Sequence, residues 1–231
     1  MSIKTQDVAR DGLFGYLAHP EANGKGGVLI VPTIFGVNSF VRGYADGLAR
    51  AGLTAAVCDL YSGLPLVTGY EESIARARKL NDELIEAIVG KWLDHLQHES
   101  AVAALGIVGF CLGGRIALLR AAHDQRIKAC AAAYPSIENP MLPNQSQDVL
   151  KLAANIRCPV HICQPGIDHV ASPETYRSLR DALLSRSAAT IIQYYPEAEH
   201  GFMHRKEPAA NPAATAIASP QLIAFLVACL N

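Results

Sequence analysis

Between an apolar run, Ala103 to Phe110, and a helical pattern, Arg115 to Ala122, lie the six residues Gly109-Phe110-Cys111-Leu112-Gly113-Gly114. A strand that turns straight into a helix crowds the residue at its apex, so the positions two before and two after must lack bulky side chains. Gly109 and Gly113 occupy those positions. The pattern is a nucleophile elbow, G-x-S-x-G, with sulfur in place of the usual hydroxyl. The helix that starts here aims free backbone N–H groups and its positive dipole end at the apex, which lowers a thiol's pKa and offers donors to an oxyanion. Cys111 therefore reads as a nucleophile. The same spacing also suits a small buried hydrophobe in a tight turn.

The rest of the chain is read around this turn. Ile3 to Val8 and Leu13 to Ala18 flank Asp11-Gly12, a hairpin signal for two antiparallel strands. Val28 to Pro32 and Thr54 to Leu60 are apolar throughout, as strands covered on both faces are. Between them Phe40, Val41, Tyr44 and Leu48 have helical spacing that ends at Gly52. Tyr61 to Tyr70 reads as a loop, and Glu71 to His98 as one long amphipathic helix, loosened at Gly90. After the elbow come a strand at Ile127 to Tyr134, a weak helix at Gln145 to Asn155 and a strand at Val160 to Gln164. A helix at Pro173 to Ser185, capped by Ser172, and a strand at Thr190 to Tyr195 follow. Alternation of this kind predicts an α/β fold: a mostly parallel sheet of about eight strands, helices on both faces, and a site at the carboxyl ends of the strands.

Length and charge narrow the function classes. The 231 residues suit one domain, 1–231, with a substantial core. Twenty basic side chains against 21 acidic ones leave no strong field to draw nucleic acid or an anionic membrane. A small molecule is the expected partner. Met1 to Arg10 lacks the apolar region of a secretory signal, and the six irregularly spaced cysteines fit a reducing compartment, so the expectation is cytoplasmic. His161 and Cys163 would share a strand face near Cys158, but no second ligand pair follows and no metal is expected. Pro208 to Asn231 carries no charge, yet only Leu222 to Leu230 is continuously apolar. That is too short for a bilayer and reads as a core-facing terminal helix.

A cysteine nucleophile needs a base, and the base needs a carboxylate to hold its tautomer. Asp168 follows one predicted strand, in Pro165-Gly166-Ile167-Asp168. His200 follows the last, in Glu199-His200-Gly201-Phe202. Nucleophile, acid and histidine then stand at three strand ends in the chain order of α/β-hydrolases. His204, four residues on, is placed to line the same mouth.

These motifs, with Ile34-Phe35-Gly36-Val37-Asn38 and Asp59-Leu60-Tyr61, resemble the dienelactone hydrolase family (carboxymethylenebutenolidase-like α/β-hydrolases) over nearly the whole length. The resemblance implies a triad of Cys111, Asp168 and His200, no lid domain and no cofactor. It also implies an oxyanion hole from the backbone N–H groups of Ile34 and Leu112. The expected reaction is hydrolysis of a lactone or small carboxylic ester. Cys111 attacks the carbonyl, His200 moves the proton and Asp168 orients His200. A monomer or homodimer is expected.

The chain departs from the family pattern in two places. Well-known members carry a glutamate just before the position of Ile34, thought to help control the thiol's proton; here it is Thr33, whose hydroxyl is no carboxylate base. The arginines that hold a substrate carboxylate in the family have only rough counterparts in Arg76, Arg78 and Arg205. Phe35, Tyr61 and Tyr134 stand at strand ends, as pocket lining or as core. Two other readings stay open: a binding protein that keeps the fold without catalysis, and a thiol redox sensor built on an easily oxidised cysteine.

Overall fold

The computed structural model describes residues 2–204 and 211–231, apart from 22–24, 62, 63, 66, 68, 99 and 101. Eight strands form one sheet: β1 (Ile3–Arg10), β2 (Leu13–Pro20), β3 (Gly26–Val31), β4 (Thr54–Cys58), β5 (Ala104–Phe110), β6 (Ile127–Ala133), β7 (Val160–Ile167) and β8 (Thr190–Glu199). Their order is β1-β2-β4-β3-β5-β6-β7-β8. The β1–β2 hairpin turns at Asp11 and Gly12, both with positive φ, and β2 pairs antiparallel with β4. Every other pairing is parallel.

The helices are α1 (Ser39–Arg50), α2 (Tyr70–Ala77), α3 (Asp82–His98), α4 (Leu112–His123), α5 (Val149–Leu152), α6 (Pro173–Leu184) and α7 (Pro212–Leu230). One face of the sheet is covered by α3, α4 and α6, with Trp92, Ile116 and Leu179 in the core there. The other face is covered by α1 and α7, with Tyr44, Leu48, Leu222 and Leu226. In β3, Leu29 and Val31 belong to the first core and Val28 and Ile30 to the second. Burial on both faces explains why this strand is apolar at every position.

Four expectations about helices are corrected. The long helix over 71–98 is two helices, because Asn81 accepts a hydrogen bond from Leu84 N at 2.8 Å and caps a new start. Gly90 sits unbroken inside α3. The weak helix over 145–155 shrinks to α5 and a 3₁₀ turn at Ala153–Asn155, since Ser146 and Gln147 spend their N–H groups on the Asp82 carboxylate. The terminal helix starts at Pro212, ten residues ahead of Leu222, and continues through Pro220. At 19 residues α7 is long and apolar enough to span a bilayer, but Ala214, Ala218, Leu222, Leu226 and Leu230 form a stripe buried on the sheet.

Candidate active site

The elbow is built as its glycines require. Cys111 has φ 56° and ψ −118°, between the last residue of β5 and the first of α4. A Cβ on Gly109 would stand 1.9 Å from the Gly113 carbonyl oxygen, and one on Gly113 would stand 2.0 Å from that of Val31. Neither position admits a side chain. Cys111 N donates to Ala133 O at 3.1 Å, tying the apex to the neighbouring strand. The side chain is 9% exposed, and its sulfur lies 3.1 Å from Ser136 Oγ.

β7 and β8 run past their expected ends, through Ile167 and Glu199, with an irregular register between Pro165 and Ile167. They bring Asp168 and His200 together: His200 Nδ1 lies 3.0 Å from each Asp168 oxygen. Asp168 Oδ1 also accepts from Val170 N and Ala171 N, and Oδ2 accepts from the Tyr176 hydroxyl at 2.8 Å. The carboxylate is therefore held from three sides and presents its charge to the imidazole. His200 Nε2 finds no hydrogen-bond partner among the described residues.

The electrostatics of the three groups are coupled. Burial pushes the Cys111 thiol up, but the charge of His200, the Ser136 hydroxyl and the Leu112 N–H bring it below its ordinary value. Burial pulls His200 down, and the Cys111 thiolate and Asp168 carboxylate reverse this, raising it to about 10. Burial likewise raises Asp168, and His200 with the N–H groups of Ala171 and Val170 lower it below the usual carboxylate range. Each of the two groups Cys111 and His200 thus favours the charged form of the other.

Cys111, Ser136 and His200 open onto a cavity of about 340 Å³, also lined by Ile34, Leu112 and Phe35. His204 stands on its wall, as does Arg78. Arg76 is used elsewhere: it donates to Pro65 O, and its guanidinium lies 3.7 Å from the Tyr61 ring centroid. Thr33, Tyr61 and Tyr134 are buried behind the lining. Thr33 Oγ1 accepts from Phe35 N, Tyr61 donates to Ile34 O at 2.9 Å, and the Tyr134 hydroxyl pairs with His204 Nδ1 at 3.1 Å. They shape the loops that carry the lining. Arg205 lies outside the described residues. Among those residues no group of three or more His, Cys, Asp or Glu is arranged to hold a metal ion.

Sequence reading missed Ser136, Tyr176, and a polar wall of Glu138, Asn144, Gln145 and His169. Ser136 had one usable signal, its place just beyond a strand end. Tyr176 had none, since it reaches Asp168 only after α6 packs against the turn.

A sharp strand-to-helix turn after the fifth strand, on a mostly parallel sheet with helices on both faces, is the architecture of the α/β-hydrolases. Within that class the chain belongs to the dienelactone hydrolase family, which it matches over residues 13–230. A carboxymethylenebutenolidase of Rhodococcus opacus is 32% identical over 196 residues, covering 81% of this chain and 75% of that protein. A provisionally assigned carboxymethylenebutenolidase of Escherichia coli O157:H7 is 30% identical over 190 residues, 76% of this chain. The match spans only 66% of that relative's length. A provisionally assigned dienelactone hydrolase from Klebsiella pneumoniae superposes with a TM-score of 0.85 at 25% identity, over 98% of this chain and 99% of that one.

Proposed function

We propose that this chain is a one-domain cytoplasmic enzyme that hydrolyses a lactone or small carboxylic ester through a thioester on Cys111. The Cys111 thiolate attacks the carbonyl carbon, and the carbonyl oxygen becomes an oxyanion between the N–H groups of Ile34 and Leu112. As the intermediate collapses, His200 Nε2–H gives its proton to the leaving oxygen. Water then enters, His200 takes a proton from it, and the second intermediate releases the carboxylic acid and the thiolate. Asp168 keeps Nδ1 protonated so that Nε2 faces the reacting groups. In a lactone the leaving oxygen stays attached to the acyl part, and the product is a single hydroxy acid.

The observation that carries this reading is the alignment of one cavity with three groups. The cavity holds a buried sulfur, and a histidine with an unoccupied Nε2 stands beside it with a carboxylate bonded to its other nitrogen. Family membership and relatives named as carboxymethylenebutenolidases support the lactone class. The near-neutral charge of the chain supports a small-molecule partner without nucleic acid.

Steady-state hydrolysis of p-nitrophenyl acetate and a panel of lactones, by wild type and by Cys111→Ala and His200→Ala, tests the proposal. Turnover that is lost in both variants is expected. Turnover no greater in wild type than in Cys111→Ala, across the panel, would contradict it and favour a binding protein on the same fold.

A further inference from the structure

Cys111 is held twice by one neighbour. Beyond β6 the chain turns at Tyr134, whose φ is +39°, passes through Pro135 and returns over the elbow. Ser136 N donates to the Cys111 carbonyl at 3.0 Å, and Ser136 Oγ lies 3.1 Å from Cys111 Sγ. Pro135 is seated on the first turn of α4, where a Cβ on Gly114 would stand 2.9 Å from Pro135 Cα. The hydroxyl is thus positioned by backbone packed against the same helix that positions the sulfur. It is also 6% exposed and lines the cavity.

The direction of this hydrogen bond follows from chemistry. A thiolate only accepts, so when Cys111 has lost its proton the Ser136 hydroxyl is the donor. His200 also lowers the thiol, by its charge first and by a side-chain hydrogen bond second, although Nε2 has no partner in regular hydrogen-bond geometry among the described residues. Tyr61, Tyr134 and Tyr176, whose charges would also be felt at the sulfur, are pushed up by burial and stay neutral near pH 7. Of the full charges nearby, Asp168 is spent on His200, while Arg78 and Glu138 stand on the cavity wall.

We propose that Ser136 is a further catalytic residue of this chain, its hydroxyl donating a hydrogen bond to the Cys111 sulfur that stabilises the thiolate and aims it into the cavity between turnovers. This rests on the reading of Cys111 as the nucleophile. The hydroxyl supplies a neutral donor at a buried sulfur, so it favours the thiolate without adding a charge for the substrate to displace.

The test is the pH dependence of Cys111 alkylation by iodoacetamide, followed by peptide mass mapping to separate Cys111 from the other five cysteines. Wild type is compared with Ser136→Ala, Ser136→Gly and Ser136→Thr. All keep the backbone N–H that bonds the Cys111 carbonyl, and circular dichroism checks their fold. The two variants without a hydroxyl should move the inflection up by about one pH unit, and threonine should restore it. The acid limb of kcat/KM for p-nitrophenyl acetate should move with it. An inflection unchanged in both Ser136→Ala and Ser136→Gly overturns the proposal. Because alkylation is read without turnover, a shifted inflection in a chain with no Cys111-dependent hydrolysis would support the hydrogen bond and contradict the hydrolase reading instead.

Discussion

At the scale of single residues, the site depends on a few groups that have no substitute. Gly113→Ala places a methyl 2.0 Å from the Val31 carbonyl oxygen, a contact no rotamer relieves because the clash is with backbone. Denaturant melts should show a loss of about 4 kcal/mol or more, the range reserved for disrupted cores. Tyr176→Phe removes the hydroxyl from Asp168 Oδ2. A hydrogen bond to a charged group contributes about 1.5–3 kcal/mol, so kcat should fall about tenfold to a hundredfold with the fold intact. The pH dependence has a definite sign. Activity should rise through an acid limb below the ordinary thiol value, as Cys111 loses its proton, and fall through an alkaline limb near 10, as His200 loses its own. Asp168→Asn removes a cause of the raised His200 value, so kcat/KM profiles should show the alkaline limb moving down. Cys111, Asp168 and His200 could be picked out in the sequence because each follows a predicted strand, and strand ends converge on one edge of a parallel sheet. Ser136 also follows a predicted strand, but its contact with Cys111 arises from chain returning across a turn, and that of Tyr176 with Asp168 from a helix docking on a loop, and neither contact is legible in the sequence.

At the scale of elements, one buried ion pair joins three segments. Arg115 on α4 donates to both oxygens of Asp82 at the start of α3, at 2.7 and 3.0 Å, and to Gln147 O. Asp82 also accepts from Ser146 N and Gln147 N. Both side chains are almost fully buried. Breaking such a pair leaves a charge without a partner, so Arg115→Met should cost about 3–5 kcal/mol in a urea melt. Burial raises Asp82, but Arg115 and the two N–H groups hold it below its ordinary value. Its contribution is therefore present above the ordinary carboxylate range and is lost as pH falls through it toward the folded value. The same network holds the segment that places Asn144 and Gln145 on the cavity wall. Here the helical periodicity of 71–98 misled, because the spacing of Ile74, Ala77, Leu80 and Leu84 runs across the Asn81 cap, beyond which Leu84 is exposed and Ile85, Val89 and Trp92 face the core. A regular apolar spacing is silent about whether the axis is continuous, and a break shifts which residues face the core.

At the scale of the whole molecule, the two-sided burial of the sheet is what the uninterrupted apolar strands demanded, and the α/β class could be read from them with the elbow. The role of α7 was harder to read, since an uncharged helix of this length suits a sheet face as well as a bilayer. Leu226 is fully buried against the sheet. Leu226→Ala should therefore cost about 2–5 kcal/mol, measured by thermal or urea unfolding. A helix that left the sheet for a membrane would leave stability unchanged by that substitution. In the proposed reaction this architecture delivers one sulfur to a carbonyl carbon. Its most direct test is rapid mixing with p-nitrophenyl acetate followed by intact-protein mass spectrometry and peptide mapping. The expected result is a transient acetyl adduct on Cys111 that forms and decays at rates consistent with steady turnover and is absent in Cys111→Ala. No adduct in wild type, or one mapped to another residue with turnover preserved in Cys111→Ala, would contradict it.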